Sequence, residues 1–297
     1  MTATTVSLLG LGRMGEPIAR RLLTSLENLT IWNRTAAKCD PLGRAGAEVA
    51  PTPSAAAAPI TLTVLTDLAD VKQVLRGPDG LLAGWATAGI DRPVLVVHGT
   101  VSPVGVAQLA EHLARSNIDL VDAPLSGGVA GAESGNLSVM VGGTQDAVDR
   151  AWPILTQVGS TVRHLGPSGA GQTGKACNQV VVAATVTAIA EALVLADRTG
   201  IDRSQLLELF SGGLANSQVL QQKKDRWLTG DFQGGGSSVN QLKDLRLATE
   251  AAAAHGADLR LVSTLRHVFE QAVADGDGHL DHAGVELSIA RHLADHY

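Results

Sequence analysis

The sequence predicts an α/β chain in two parts, a doubly wound parallel sheet followed by an all-α domain opened by one long helix. Three observations predict it. Short apolar runs alternate with segments of helical spacing through the first half, a glycine-rich turn follows the first run, and strand-like runs cease beyond residue 166. The 297 residues suit two domains at about 100–200 residues each. With 45% hydrophobic and 18% charged residues, the composition supplies a core and excludes disorder or low complexity as a description of the whole.

Val6-Leu9, Leu29-Trp32, Thr61-Leu65, Val94-Val97 and Leu120-Val121 are near-continuously apolar, as strands covered on both faces are. Pro17-Leu26, Asp70-Leu75 and Val104-Ser116 lie between them with apolar residues at helical spacing, and strand–helix alternation implies a parallel sheet. Leu137-Val141 and Val162-Leu165 are two further strands, flanking a helix opened by Thr144 and Asp146. After Gly166-Pro167-Ser168-Gly169 the chain turns rich in alanine and leucine, so a boundary is expected near 166, with domains at 1–166 and 167–297. The second domain opens with a helix from about Gly171 to Thr199, ended by Gly200. That helix is apolar on nearly every face, which predicts a homodimer or homotetramer built through the helical domain. Its uncharged stretch, Ala176 to Ala190, holds Asn178 and Gln179 and is bounded by Lys175 and Glu191. That falls short of the roughly 20 residues of a membrane span, so no membrane partner is expected.

Lys and Arg number 23 against 29 Asp and Glu, a net charge of −6. A mildly acidic chain has no general attraction for phosphate backbones, which argues against nucleic acid. The short Lys223-Lys224-Asp225-Arg226 cluster reads as a solvated helix face. Two cysteines, Cys39 and Cys177, make no disulfide framework and fit a reducing cytoplasm. No Lys or Arg precedes the first apolar run, so no signal peptide is read. His279 and His282, or His292 and His296, have usable metal spacing but lie near an acidic C-terminus; they read as exposed histidines, and no metal is expected.

Gly10-Leu11-Gly12-Arg13-Met14-Gly15 has the spacing G-x-G-x-x-G and joins the first strand to the first helix. The first glycine permits a tight turn, the second lets a pyrophosphate approach the backbone, and the third allows close helix–strand packing. Free N–H groups and the helix dipole then hold the phosphates. At the end of the second strand, where an NAD-specific fold places a carboxylate, the chain reads Trp32-Asn33-Arg34-Thr35. Arg34 suits adenine stacking and a 2′-phosphate, Asn33 and Thr35 neutral hydrogen bonds, so NADP(H) is the expected cofactor. Past the strand at Leu120-Val121, Asp122-Ala123-Pro124-Leu125-Ser126-Gly127-Gly128 offers a hydroxyl and unobstructed backbone N–H groups that suit a carboxylate. Lys175 stands in the first turns of the long helix, with Asn178 and Gln179 on its face three and four residues on.

With these residues in view, the chain resembles the β-hydroxyacid dehydrogenase family, which includes 3-hydroxyisobutyrate dehydrogenases and tartronate, glyoxylate and succinic semialdehyde reductases. The resemblance spans essentially the whole sequence. It runs through Leu9-Gly10-Leu11-Gly12-Arg13-Met14-Gly15, the Asp122–Gly128 segment and Gly135-Asn136-Leu137-Ser138-Val139-Met140-Val141-Gly142-Gly143. It continues through Gly171-Gln172-Thr173-Gly174-Lys175-Ala176-Cys177-Asn178-Gln179 to Lys243-Asp244-Leu245. It implies a Rossmann domain followed by a helical one, with the active site in the cleft between them. It implies that Lys175 is catalytic, that Ser126, Gly127 and Gly128 hold a substrate carboxylate, and that Asn178 and Gln179 orient substrate. Leu65, Thr66 and Thr100 match positions beside the cofactor, and Lys243 a lysine that closes over it. Relatives similar at Asn33-Arg34-Thr35 use NADPH.

The sequence departs from the family at Gly236, where many relatives carry Phe, at Gln179, where Asn is frequent, and at His98-Gly99-Thr100, in place of Ser-Ser-Thr or similar. The expected reaction is reversible hydride transfer between nicotinamide and a small β-hydroxy acid, semialdehyde or 2-oxo acid. In it the Lys175 ammonium stabilises charge on the carbonyl oxygen and donates the proton. The alternatives are an imine reductase, which shares the architecture but generally lacks the lysine, and a non-catalytic dinucleotide-binding module.

Overall fold

The computed structural model describes residues 5–294. Packing divides the chain into two compact units, Met1–Lys175 and Ala176–Tyr297.

The first unit is built on β1 (Val6–Leu9), β2 (Leu29–Trp32), β3 (Glu48–Val49), β4 (Ile60–Thr63), β5 (Val94–Val97) and β6 (Asp119–Asp122), all parallel in the order β3-β2-β1-β4-β5-β6. The order reverses between β1 and β4, which opens a crevice at their carboxyl ends. Successive side chains face opposite ways along a strand. Accordingly Leu8, Leu62, Val96 and Val121 enter one core and Leu9, Leu95, Val97 and Leu120 the other. Helices α1 (Gly15–Leu23), α2 (Asp40–Arg44), α3 (Leu68–Leu75), α4 (Leu81–Thr87) and α5 (Pro103–Ala114) connect these strands. Polar groups inside the sheet are paired, as Ser7 Oγ is with Thr61 Oγ1 at 3.1 Å, so their burial leaves no orphan.

The chain then leaves the parallel pattern through β7 (Leu125–Ser126), α6 (Gly128–Ser134), β8 (Ser138–Gly142), α7 (Gln145–Val158) and β9 (Thr161–Gly166). β8 runs antiparallel to β6 and β7 and parallel to β9. Thr144 caps α7, its side chain accepting the Ala147 amide at 3.4 Å. Five short elements, α2, β3, α4, β7 and α6, lie outside the expected set. Tertiary contacts hold them rather than periodicity: Trp85 anchors α4 by donating from Nε1 to the Ala58 carbonyl at 2.9 Å.

The second unit is helical, with most of α8 (Ala170–Thr199) followed by α9 (Arg203–Gly212), α10 (Gln218–Thr229), α11 (Ser238–Ala254), α12 (Arg260–Ala274) and α13 (Val285–Ala294). The division between these compact units falls in the second turn of α8, because that helix begins on the sheet unit: Asp122 accepts the Gly169 and Gln172 amides. One expectation for α8 needs correction. An 18-residue window within it has mean hydropathy 2.0, so by length and composition alone it is apolar enough to cross a membrane. In the single chain it is partly bare, with Val181 66% and Leu195 64% exposed. Ala183, Val186, Ala190 and Leu193 are nevertheless fully buried in the core of this unit, with Trp227, Leu245 and Phe269.

Candidate active site

The candidate cofactor residues of the first unit collect at the carboxyl ends of its parallel strands. The Gly10–Gly15 loop follows β1, Asn33–Thr35 follow β2, Leu65 and Thr66 follow β4, and Thr100 follows β5. The three loop glycines differ in what they face. Gly10 has φ +104° and a Cβ there would meet the Val64 carbonyl oxygen at 2.5 Å; one on Gly15 would meet the Gly10 carbonyl oxygen at 1.8 Å. Those two are required by the protein's own packing. Gly12 is exposed, with nothing within 4 Å of the Cβ position, so its open face is where a pyrophosphate could approach. These residues therefore fit a nicotinamide dinucleotide.

Asn33 is tied to this loop. Its Oδ1 accepts the Leu11 amide at 2.8 Å and its Nδ2 donates to the Thr35 carbonyl at 3.0 Å, so it holds the cradle against the end of β2. Arg13 and Arg34 are exposed, and among the described residues neither enters an ion pair. The next loops are equally close: a Cβ on Gly99 would meet the Leu65 carbonyl oxygen at 2.0 Å, which packs the Leu65–Thr66 turn against the root of Thr100.

Of the residues expected to meet substrate, Ser126 pairs with Ser138 across β7 and β8. Gly127, with φ +132°, turns the chain into α6, and Gly128 has open space around its Cβ position. Lys175 is in the second turn of α8, only 7% exposed. In the second unit, Gln179 reaches α11, its Nε2 donating to Asp244 Oδ2 at 2.7 Å and its Oε1 accepting from Asn178 Nδ2 at 3.1 Å. Lys243 adjoins the same carboxylate, Nζ to Asp244 Oδ1 at 3.8 Å. Asn178, Gln179, Lys243 and Asp244 thus form one polar group.

Sequence reading gave no individual role to Asp122, Gln172, His98 or Asp244, although all four lay inside quoted motifs. For Asp122 the available signal was a carboxylate at the end of an apolar run. Asp122 is fully buried, which raises its carboxyl pKa; the Gly169 and Gln172 amides oppose the rise. His98 is 3% exposed. Its Nδ1 lies 2.7 Å from the Ala123 carbonyl oxygen, which can only accept, so the proton sits on Nδ1. Nε2 has no partner, and burial pushes the imidazole pKa down to about 4 against that one hydrogen bond. His279, His282 and His292 each have a ring nitrogen in hydrogen-bond range of an oxygen of Gly276, Gln241 and Asp275, respectively, and His296 lies outside the described residues. No cluster of metal-ligating side chains occurs among the described residues.

Residues 5–166 match the family model for the NAD binding domain of 6-phosphogluconate dehydrogenase. Residues 169–287 match the one for the NAD-binding region of NADP-dependent 3-hydroxyisobutyrate dehydrogenase. The chain is 32% identical over 283 residues to 2-(hydroxymethyl)glutarate dehydrogenase of Eubacterium barkeri, covering 94% of this chain and 93% of that protein. It is 31% identical to 2-hydroxy-3-oxopropionate reductase of Escherichia coli, with 96% of each covered. Among solved structures it resembles Mycobacterium tuberculosis 3-hydroxyisobutyrate dehydrogenase with L-serine, at TM-score 0.83 and 28% identity over 97% of this chain and 99% of that one.

Proposed function

The chain belongs to the β-hydroxyacid dehydrogenase family, and from that premise we propose that it transfers hydride between NADP(H) and a small carboxylate-bearing semialdehyde or 2-oxo acid, with Lys175 as general acid and base. Membership by itself supports hydroxyacid dehydrogenase activity with a nicotinamide dinucleotide. The relatives named for 2-(hydroxymethyl)glutarate and 2-hydroxy-3-oxopropionate act on compounds of this class. The observation that carries the finer reading is Lys175, an ammonium almost wholly buried near the start of a helix rooted on the loops after β5 and β6. A cation held where most water is excluded acts strongly on negative charge that develops beside it.

The bound dinucleotide supplies or accepts the hydride at nicotinamide. The protein's part is to bind, orient and move the proton. In this reading Ser126 and the Gly127–Gly128 main chain bind the substrate carboxylate, and Asn178 and Gln179 help to orient the substrate. As the carbonyl is reduced, negative charge grows on its oxygen; the Lys175 ammonium stabilises that charge and donates its proton from Nζ, and in alcohol oxidation the neutral amine takes the proton back. NADP(H) is favoured over NAD(H) because no carboxylate ends β2, while Arg34 stands exposed there and enters no ion pair among the described residues. Exposed Val181 and Leu195 on α8 support a homodimer or homotetramer through the helical unit, and two free cysteines suit a cytoplasmic, reducing location.

Lys175→Ala tests the assignment. Turnover of succinic semialdehyde, glyoxylate or 2-hydroxy-3-oxopropionate with NADPH should fall by about 10² to 10³, on the scale of general acid–base contributions, while NADPH still binds. Near-normal turnover in that variant overturns the role. Faster reduction of a cyclic imine than of any oxo acid would instead fit an imine reductase, and NADPH binding with no turnover would fit a non-catalytic module.

A further inference from the structure

Two buried polar side chains with no assigned role link the chain segments that carry the site. Asp122, fully buried at the end of β6, accepts the Gly169 amide at Oδ1 (2.7 Å) and the Gln172 amide at Oδ2 (2.8 Å). Gln172, 1% exposed, accepts the Val101 amide at Oε1 (3.0 Å) and donates from Nε2 to the Gly99 carbonyl (2.8 Å). The surrounding backbone is fitted closely to the carboxylate. A Cβ on Gly171 would meet Asp122 Oδ2 at 2.8 Å, and one on Gly142 would meet Oδ1 at 2.5 Å.

Each bond has a consequence one step along the chain. Thr100 lies between Gly99 and Val101, Ser126 lies just beyond Asp122, and Lys175 follows Gln172 by three residues, close to one helical turn. The brace therefore joins the roots of the Thr100 loop, the Ser126 loop and the Lys175 turn. A helix cap alone would not call for this arrangement. Ser, Thr or Asn caps a helix about as well as Asp, without the cost of a dehydrated carboxylate. What the carboxylate adds is a bidentate hold on two amides of the same turn, and what Gln172 adds is a second tie to a different strand end.

We propose that Asp122 and Gln172 are positioning residues for hydride transfer, fixing the first turn of α8 to the ends of β5 and β6 so that the Lys175 ammonium is held in register with the loops bearing Thr100 and Ser126. The proposal rests on the reading of Lys175 as the acid and base.

Asp122→Asn keeps the shape of the side chain but turns an N–H toward one of the two amides. With succinic semialdehyde and NADPH its kcat should fall about 10²-fold, the cost of a misplacement of about 1 Å, while the NADPH Kd from fluorescence quenching stays unchanged. Gln172→Met, which removes two bonds at nearly constant shape, should lower kcat in the same way by about tenfold. The deciding readout is a double-mutant cycle: in a Lys175→Ala background either substitution should cost little more, because the group it positions is gone. A merely structural role gives the same proportional loss with and without the lysine, and that result overturns the proposal, as does wild-type kcat in both single variants. If Asp122→Asn fails to fold by circular dichroism, the Gln172→Met cycle decides alone. Normal turnover in Lys175→Ala by itself would instead defeat the assignment of the lysine.

Discussion

Replacing His98 with Asn should flatten the acid side of the stability profile of the N-terminal unit. The buried imidazole has a pKa of about 4 in the native protein against about 6.5 in an unfolded chain. Above pH 6.5 both states are neutral and the group contributes nothing to the pH dependence. Between pH 6.5 and 4 the unfolded chain takes up a proton that the native protein refuses, so stability falls as pH falls through that window. The loss approaches about 3.4 kcal/mol when complete and is about 2.5 kcal/mol at pH 4.5, at about 1.36 kcal/mol for each tenfold step. Asn keeps an N–H able to reach the Ala123 carbonyl and does not titrate there; its smaller volume adds a pH-independent cavity cost. Urea unfolding at pH 7.5 and 4.5, followed by fluorescence of Trp32, Trp85 and Trp152 in this unit, measures the difference. Burial raises the Asp122 pKa, which acts with the opposite sign in the same region, but it is common to both proteins and cancels. Parallel profiles for wild type and His98→Asn would refute the reasoning.

Two further substitutions test the cofactor cradle. Gly12→Ala meets no protein atom within 4 Å, so its melting temperature should be unchanged while the NADPH Kd rises by about tenfold or more, a methyl having been placed where the pyrophosphate approaches; equal affinity would move the phosphates elsewhere. Arg34→Asp should invert the ratio of kcat/KM with NADPH to that with NADH, by removing the cation suited to a 2′-phosphate and supplying the carboxylate that binds a free ribose; an unchanged ratio would take cofactor choice away from the end of β2.

Much of the site was legible because its residues sit where chain direction changes. Gly10, Gly12 and Gly15 were readable as a cradle from spacing and from the strand before them. Lys175 stood out as a charge at the head of an apolar helix. Gln172 did not, since a glutamine beside Gly171 looks like any polar residue in a first helical turn; its reach to Gly99 and Val101, more than seventy residues back, exists only once β5 and β6 are neighbours. Asn33 was read as a source of neutral hydrogen bonds at the end of β2; its bonds to Leu11 and Thr35, which tie the glycine loop to that strand end, appear only in the folded chain. α4 and α6 were missed because Gly84 and Gly131 weaken their helical signal, and residues outside each helix hold them, the Ala58 carbonyl through Trp85 of α4 and Leu137 against Gly131 of α6.

By itself the sequence determined the alternation of buried strands and helices, the glycine loop and the helical second half, because periodicity, glycine spacing and apolar content are local properties of the chain. Only the tertiary structure decided which polar side chains act on one another. Asp122, Gln172, His98 and the Gln179–Asp244 pair acquire their bonds, and His98 and Asp122 their altered proton affinities, from partners distant in sequence and from the loss of water.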